Sequence, residues 1–352
     1  MARILERRGL RTGALLLLLA LLLLAAACSG DDEEDGAGTT DSTDTTPVPP
    51  TDPDVRLILI ATSSPREAYE RLAAMFSQTP EGRGVLVEQT YGNTFEQTQQ
   101  VAFGLPADVF APGSEADLLG LIEAEQIPRN WADNEFGGMV TNSVAAFVVR
   151  NDNPKGIRGW ADLAKPGVRI VMADPNFSGV ARWASLAAYG AQLELGRTPA
   201  QARSFLEQLF ANVTIEGNSA RESFGAFSRG NADVLLTSEA EGLVAQKKGS
   251  ALDLVVPDET ILIESPISVT TSAPPEAKAF VDYLRTEGSQ RIFAEEGHRP
   301  VLESARAAFD FAEPSRLFTV EDLGGWRNVY IDFFTSNGTI ITILRNLGKL
   351  NE

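Results

Sequence analysis

One cysteine and one histidine occur in this chain of 352 residues, Cys28 and His298. A single cysteine rules out a disulfide within the chain, so the folded part must hold together by its core alone. With one histidine and one cysteine, zinc sites built from His and Cys are excluded, and Cys28 lies in an N-terminal segment where a Cys-His dyad makes no sense. No GxSxG, HExxH, P-loop or dinucleotide fingerprint is present. Carboxylate pairs are plentiful and leave a glycosidase-like site open. Basic residues are scarce: 30 Lys and Arg stand against 48 Asp and Glu, a formal net charge of -18. Residues 1–27 carry +3 of this and residues 28–54 carry -9, which leaves -12 for the remainder. An acidic surface of this kind argues against nucleic acid and anionic lipid headgroups as partners.

Long apolar runs are missing too, apart from Ala14–Ala27, which is Ala and Leu throughout. The run is short for a bilayer span but suits the h-region of a signal peptide, behind a basic n-region of Arg3, Arg7, Arg8 and Arg11. Ala25, Ala26 and Ala27 then lead into Cys28, and the stretch resembles a bacterial lipobox whose Leu sits one place early, at Leu24. Residues 1–28 therefore read as a lipoprotein signal peptide ending at a lipidated Cys28. An uncleaved signal anchor is the alternative. Residues 29–54 are mostly Gly, Ser, Thr, Pro and Asp, with Asp31–Asp35 as five consecutive acids near the start. Such a stretch buries too little apolar area to fold and reads as a disordered acidic tether.

From Val55 the texture changes. VRLILI (Val55–Ile60) is a buried-type strand, and Tyr69, Leu72, Ala73 and Phe76 then follow helical spacing. The alternation recurs, with strands at 84–89, 108–110, 168–172, 213–216 and 234–237 each followed by a helix. Strand–helix alternation predicts an α/β fold with mainly parallel sheets and helices on both faces. About 300 residues suffice for two ordinary domains. Two strand-like stretches, TNSVAAFVVR (Thr141–Arg150) and ILIESPISVTT (Ile261–Thr271), lack such a helix and read as crossovers. They divide the chain into lobe 1 (55–142), lobe 2 (143–254) and the rest of lobe 1 (255–352). A single continuous sheet is the alternative.

The strand-to-helix junctions share one chemistry. Ser64-Pro-Arg-Glu67, Thr94-Phe-Glu-Gln97, Ser219-Ala-Arg-Glu222 and Ser238-Glu-Ala-Glu241 all carry the capping-box pattern, and Ser178-Gly179 opens another helix. Each helix start has backbone N–H groups without partners and the positive end of the macrodipole. In open α/β sheets these ends gather where ligands bind, so together they make an anion site without Lys or Arg. Taken singly, a capping box is first a stability device.

At the same junctions the chain resembles the periplasmic sulfate-binding proteins of ABC importers. The resemblance covers nearly all of residues 55–345 and rests on NPKGIRGWADLAKPGVRIV (Asn153–Val171), DPNFSGVARWASLAAYG (Asp174–Gly190), ADVLL (Ala232–Leu236), HRP (His298–Pro300) and LFTVEDLGGW (Leu317–Trp326). It implies a two-lobed type II periplasmic-binding-protein fold joined by two crossover strands. It also implies a monomeric, non-enzymatic solute-binding protein outside the cytoplasm, at the cell membrane. Such a protein needs no cofactor and delivers a small tetrahedral oxyanion, sulfate or thiosulfate, to a membrane permease. Carried over by motif, the ligand-binding residues are Ser64, Thr94, Ser178, Gly179, Val180, Ala220 and Ser238. Arg182, Arg221 and Ser219 support them.

Three departures bear on the ligand. The family's DPTRE loop reads SSPRE here, with Ser64 where Asp stands; its second glycine after the serine is Val180; and its sulfate-binding Trp is Ser238. Loss of a possible acceptor at Ser64 suits sulfate, which wants donors only. Molybdate, tungstate and phosphate stay open as ligands, as does a sensor or assembly lipoprotein of the same fold. His298, followed by Arg-Pro, reads as a structural turn, and Trp160, Trp183 and Trp326 read as core.

Overall fold

The computed structural model describes residues 50–350. The expected signal peptide, Cys28 and the tether up to residue 49 lie outside the described residues. Three strand–helix units open the described chain. They are β1 (Val55–Thr62) with α1 (Arg66–Phe76), β2 (Val85–Gly92) with α2 (Thr94–Ala102), and β3 (Val109–Ala111) with α3 (Ala116–Glu123). β1 runs parallel to both β2 and β3. Its Leu57, Leu59 and Ile60 are fully buried, as a central strand covered on both faces requires.

β4 (Met139–Arg150) carries the chain into a second sheet. There α4 (Trp160–Leu163), β5 (Ile170–Met172), α5 (Gly179–Glu194), α6 (Pro199–Ala211), β6 (Val213–Ile215), α7 (Ala220–Arg229), β7 (Val234–Ser238), α8 (Glu239–Lys247) and β8 (Leu252–Val255) follow in order. β9 (Glu259–Pro266) returns antiparallel to β4, and β10 (Ser268–Val269) pairs with β3. α9 (Pro275–Leu284), α10 (Glu287–Glu295), β11 (Arg299–Pro300), α11 (Glu303–Arg306), β12 (Arg316–Phe318), α12 (Gly325–Val329) and α13 (Thr339–Asn346) complete the chain. The first sheet has the order β10-β3-β1-β2 and the second β12-β9-β4-β7-β5-β6, with β8 and β11 also paired to β4.

Two sheets, each with its own main core and a lesser cluster on its other face, make two lobes rather than one continuous sheet. The smaller core holds Leu57, Tyr69, Phe76, Phe280 and Phe293. The larger holds Phe147, Trp160, Trp183, Phe210 and Leu236. β4 and β9 pass between them: Val140 lies in the smaller core, while Val149, Ile261 and Ile263 lie in the larger. The larger sheet is mixed, because β4 runs antiparallel to β7, β8 and β9.

The C-terminal stretch departs from its expected place in lobe 1. α9 and α10 do pack on the smaller core through Phe280 and Phe293. β12, however, pairs with β9, and Trp326, Val329, Phe333, Ile340 and Leu344 enter the larger core. Trp326 meets Trp183 edge-to-face at 4.6 Å between ring centroids, an arrangement that the quadrupoles of both rings favour.

Candidate functional site

Five helices begin at the seam between the lobes: α1 and α2 from the smaller, α5, α7 and α8 from the larger. Their starts surround a cavity of about 70 Å³. Ser64, Thr94, Ser178, Gly179, Val180, Ala220 and Ser238 all line it, and so does Ser219. No Asp, Glu, Lys or Arg is in the lining. Arg182 and Arg221 are outside it.

The capping chemistry holds at three of these starts. The Ser178 hydroxyl accepts from Ala181 N–H at 3.4 Å, Ser219 from Glu222 N–H at 3.2 Å, and Ser238 from Glu241 N–H at 3.4 Å. A hydroxyl that accepts from the backbone keeps its own hydrogen to donate elsewhere. The first amides of α5 and α7, at Gly179, Val180 and Ala220, have no intrahelical carbonyl to bond.

At the other two starts the expected capping boxes are not formed. α2 is capped by Asn93, whose Oδ1 accepts from Glu96 N–H at 2.8 Å, so Thr94 is already inside the helix. The Thr94 hydroxyl accepts from Gly113 N–H at 2.9 Å and donates to Asp117 Oδ2 at 3.0 Å. That hydroxyl is committed, and what Thr94 offers the cavity is its backbone N–H. α1 starts at Arg66 with no side-chain cap, so Ser64 is a turn residue. Glu67 does not reach back to it, because two cations of the other lobe claim its carboxylate. Arg221 donates to it at 2.7 and 3.0 Å, and Lys248 also pairs with it. Nor does Glu241 complete a box; it is buried, 3.6 Å from Arg221 Nε and beside the Ser64 hydroxyl.

Both arginines join the lobes from behind the cavity. Arg182 donates twice to Asp117 Oδ1, each at 3.0 Å, and the pair is almost fully buried. Ser114 donates to the same carboxylate at 2.8 Å. Arg221 and Glu67 make the second tie, half-buried. Arg299 and Glu239 form a third pair, buried, at 2.6 and 2.9 Å. The backbones also meet directly: a Cβ added to Gly179 would stand 2.8 Å from Gly113 Cα, so neither glycine can be enlarged without parting the lobes. Phe95 N–H donates across the seam to Phe177 O at 3.2 Å.

Burial sets the ionisation around this seam. Burial alone would raise the Glu67 carboxyl, but the hydrogen bonds from Arg221 and Lys248 hold it down at about 2. Burial pushes Glu241 up, with Arg221 opposing. Burial pushes the His298 imidazole down to about 4.

Several lining residues escaped the sequence reading. His298, read as a structural turn, lines the cavity. Ser143 lines it too and accepts from Ala240 N–H at 3.2 Å; it ends the polar Thr141-Asn142-Ser143 run of the crossover strand, which was its signal. Trp183 is both core and lining, and its indole N–H is committed to Gly113 O at 2.8 Å. Among the described residues no cluster of metal-binding side chains occurs, and no helix is long and apolar enough to cross a membrane.

A cavity between two lobes, lined by donors and with no charged residue in its lining, is a place to hold a solute. Residues 57–299 match the family model described as bacterial extracellular solute-binding protein. The chain belongs to this family. The solute-binding protein is 36% identical to the sulfate-binding protein of Synechococcus elongatus, over 81% of this chain and 85% of that one. It is 33% identical to the sulfate-binding protein of Synechocystis sp., over 83% and 87%. Among solved structures, the sulfate-binding protein SubI from Mycobacterium tuberculosis superposes with a TM-score of 0.77 at 33% identity, covering 80% of this chain and 100% of the other. The solute-binding protein is thus an extracytoplasmic transport protein of the two-lobed type II fold and binds rather than converts its ligand.

Proposed function

We propose that this solute-binding protein captures a fully ionised tetrahedral oxyanion, sulfate foremost, and hands it to an ABC importer. The observation that carries the reading is the lining: serine hydroxyls and helix-start amides converge on a small cavity with no carboxylate in it. Sulfate carries no proton at neutral pH and is matched by donors alone. Protonated phosphate needs an acceptor as well, and an unmatched polar group in a dry site costs about 1–3 kcal/mol. Ser178, Ser238, Gly179, Val180 and Ala220 act as the donors, with Ser64 and the Thr94 amide from the other lobe. The three relatives named above, all sulfate-binding, agree with this choice, while two thiosulfate-binding proteins match at 28% identity.

Calorimetry against sulfate, thiosulfate, molybdate, tungstate and phosphate tests it. Sulfate should bind one per chain, unchanged chemically, and raise the unfolding temperature as mass action requires. Ser178→Ala should weaken binding about ten- to a hundredfold, the loss of one charge-assisted hydrogen bond of about 1.5–3 kcal/mol. Tighter binding of phosphate than of sulfate would sink the donor-only reading. The protein works as a lipid-anchored monomer in this proposal, tethered through Cys28, and Cys28→Ser should release it from the membrane fraction.

A further inference from the structure

His298 is 4% exposed and lines the cavity, yet its Nε2 is buried with no hydrogen-bond partner. Among the described residues it is the one cavity-lining residue with a buried side-chain N or O atom left unpaired. Buried polar groups are nearly always satisfied, and an exception calls for a missing partner. The ring is fixed from its other sides. Phe293 meets it edge-on at 6.3 Å between centroids, and a ring N–H donates to the Ser64 backbone. The charged groups nearest to it oppose one another: Glu67 on α1 and Arg221 on α7, with the Arg299–Glu239 pair adjoining in sequence. Nothing among them supplies the Nε2 contact.

We propose that His298 is a ligand contact, its Nε2–H donating to the anion held in the cavity. The inference rests on the oxyanion reading of the cavity and extends it by one donor from the smaller lobe. That donor sits where closure of the lobes brings it against ligand already held by α5 and α7. Burial holds the ring neutral with one N–H, which goes to the Ser64 backbone, so Nε2 gains its hydrogen as the ring takes up a second proton with the anion.

His298 is the sole histidine of the chain, so the imidazole nitrogens can be read directly by 15N NMR on the uniformly labelled protein without assignment. On saturation with sulfate, Nε2 should show the signal of a protonated nitrogen, displaced from its sulfate-free position, with its hydrogen protected from exchange. His298→Ala should weaken sulfate binding about tenfold or more, and His298→Gln, whose Nε2 amide occupies the same position, should recover part of the loss. Ring signals that stay put while other resonances report saturation would overturn the proposal, as would a His298→Ala protein that binds sulfate like the parent. A parent that binds no oxyanion would instead overturn the reading of the cavity itself, and the proposal with it.

Discussion

Of the three arginines paired across the lobes, two do it in opposite solvents. Arg182, near the start of α5, meets Asp117 with side chains 3% and 7% exposed. Arg221, near the start of α7, meets Glu67 with side chains 33% and 23% exposed. The carboxylate of the dry tie is saturated, though Arg182 Nε has no partner: Asp117 Oδ1 takes both guanidinium bonds and Oδ2 takes the Thr94 and Ser114 hydroxyls. The wet tie is redundant, since Lys248 also pairs with Glu67. A saturated carboxylate holds one geometry or fails, whereas a redundant pair can loosen in steps. The seam therefore has a rigid side at Gly113 and Gly179 and a compliant tie near Ser64, with the dry Arg299–Glu239 pair beyond it next to His298. A cleft that must admit an ion and close over it needs both.

The largest expected effect falls on the dry tie. Asp117→Asn leaves Arg182 buried beside a neutral amide and removes an acceptor from two hydroxyls. Stripping one partner from a buried ion pair costs about 3–5 kcal/mol. Denaturant unfolding of the sulfate-free protein should show that loss. Replacing both partners, Asp117→Leu with Arg182→Met, should recover much of it, because the desolvation penalty goes with the charges. A single variant within 1 kcal/mol of the parent, roughly a surface-pair effect, would erase the contrast between the two sides.

What could be read from the sequence follows the same division. Local grammar was legible: Ser178, Ser219 and Ser238 cap their helices through bonds to residues three positions on, which any reader of the chain can find. Buried runs such as VRLILI were legible because both faces of a central strand are apolar. What failed involved partners far along the chain. Glu67 looked like the back half of a capping box, but Arg221, 154 residues away, takes it. Asn93 and Thr94 are both competent caps, and the pull of Gly113 and Asp117 on the Thr94 hydroxyl decided between them. A capping box with Pro at the first position does form, at Thr198–Gln201, exposed on α6 and outside the cavity lining, so capping alone does not mark a site. His298 was illegible because its surroundings come from α1, α10 and the seam together. The stretch after residue 315 is apolar enough for either core, and only the Trp183–Trp326 contact and the β9–β12 pairing assign it.

The next effect belongs to pH, at His298 beyond the compliant tie. The His298 ring has a folded value of about 4 against 6.5 for an ordinary imidazole. Below pH 6.5 the unfolded chain binds a proton that the folded chain refuses. Stability is therefore full above about 6.5 and falls as pH drops toward 4, by about 3 kcal/mol from this group. Glu67, held at about 2 against 4.5, contributes stability that is present above 4.5 and lost as pH falls toward 2. Glu241 acts with the opposite sign, since a buried carboxyl raised by burial gains a proton early on folding. Because Glu241, Glu115 and Glu264 are raised by burial above 4.5, it is the difference between parent and variant from 6.5 down to 4.5 that isolates His298. His298→Gln, unfolded by denaturant across that window without sulfate, should lack the parent's loss. Equal slopes for parent and variant would mean that the ring is protonated when folded, and that this end of the seam is wetter than the contrast requires.

The smallest effect is expected at the wet tie itself. Arg221→Met removes both bonds to Glu67 and the approach to Glu241, yet each carboxyl has somewhere to go. Glu67 keeps Lys248, and Glu241, already raised by burial, can take a proton instead of holding an unpaired charge. Methionine also retains the apolar stem that the arginine lays along the seam. Double-mutant experience with such partly exposed pairs gives about 0.2–1 kcal/mol, and the value should shrink further at high salt. Denaturant unfolding of Arg221→Met at low and at high ionic strength reads both numbers. A loss near that of Asp117→Asn, indifferent to salt, would show that the second tie is as dry and as obligatory as the first. The compliant side would then have to be sought elsewhere along β4 and β9, the strands that pass between the lobes.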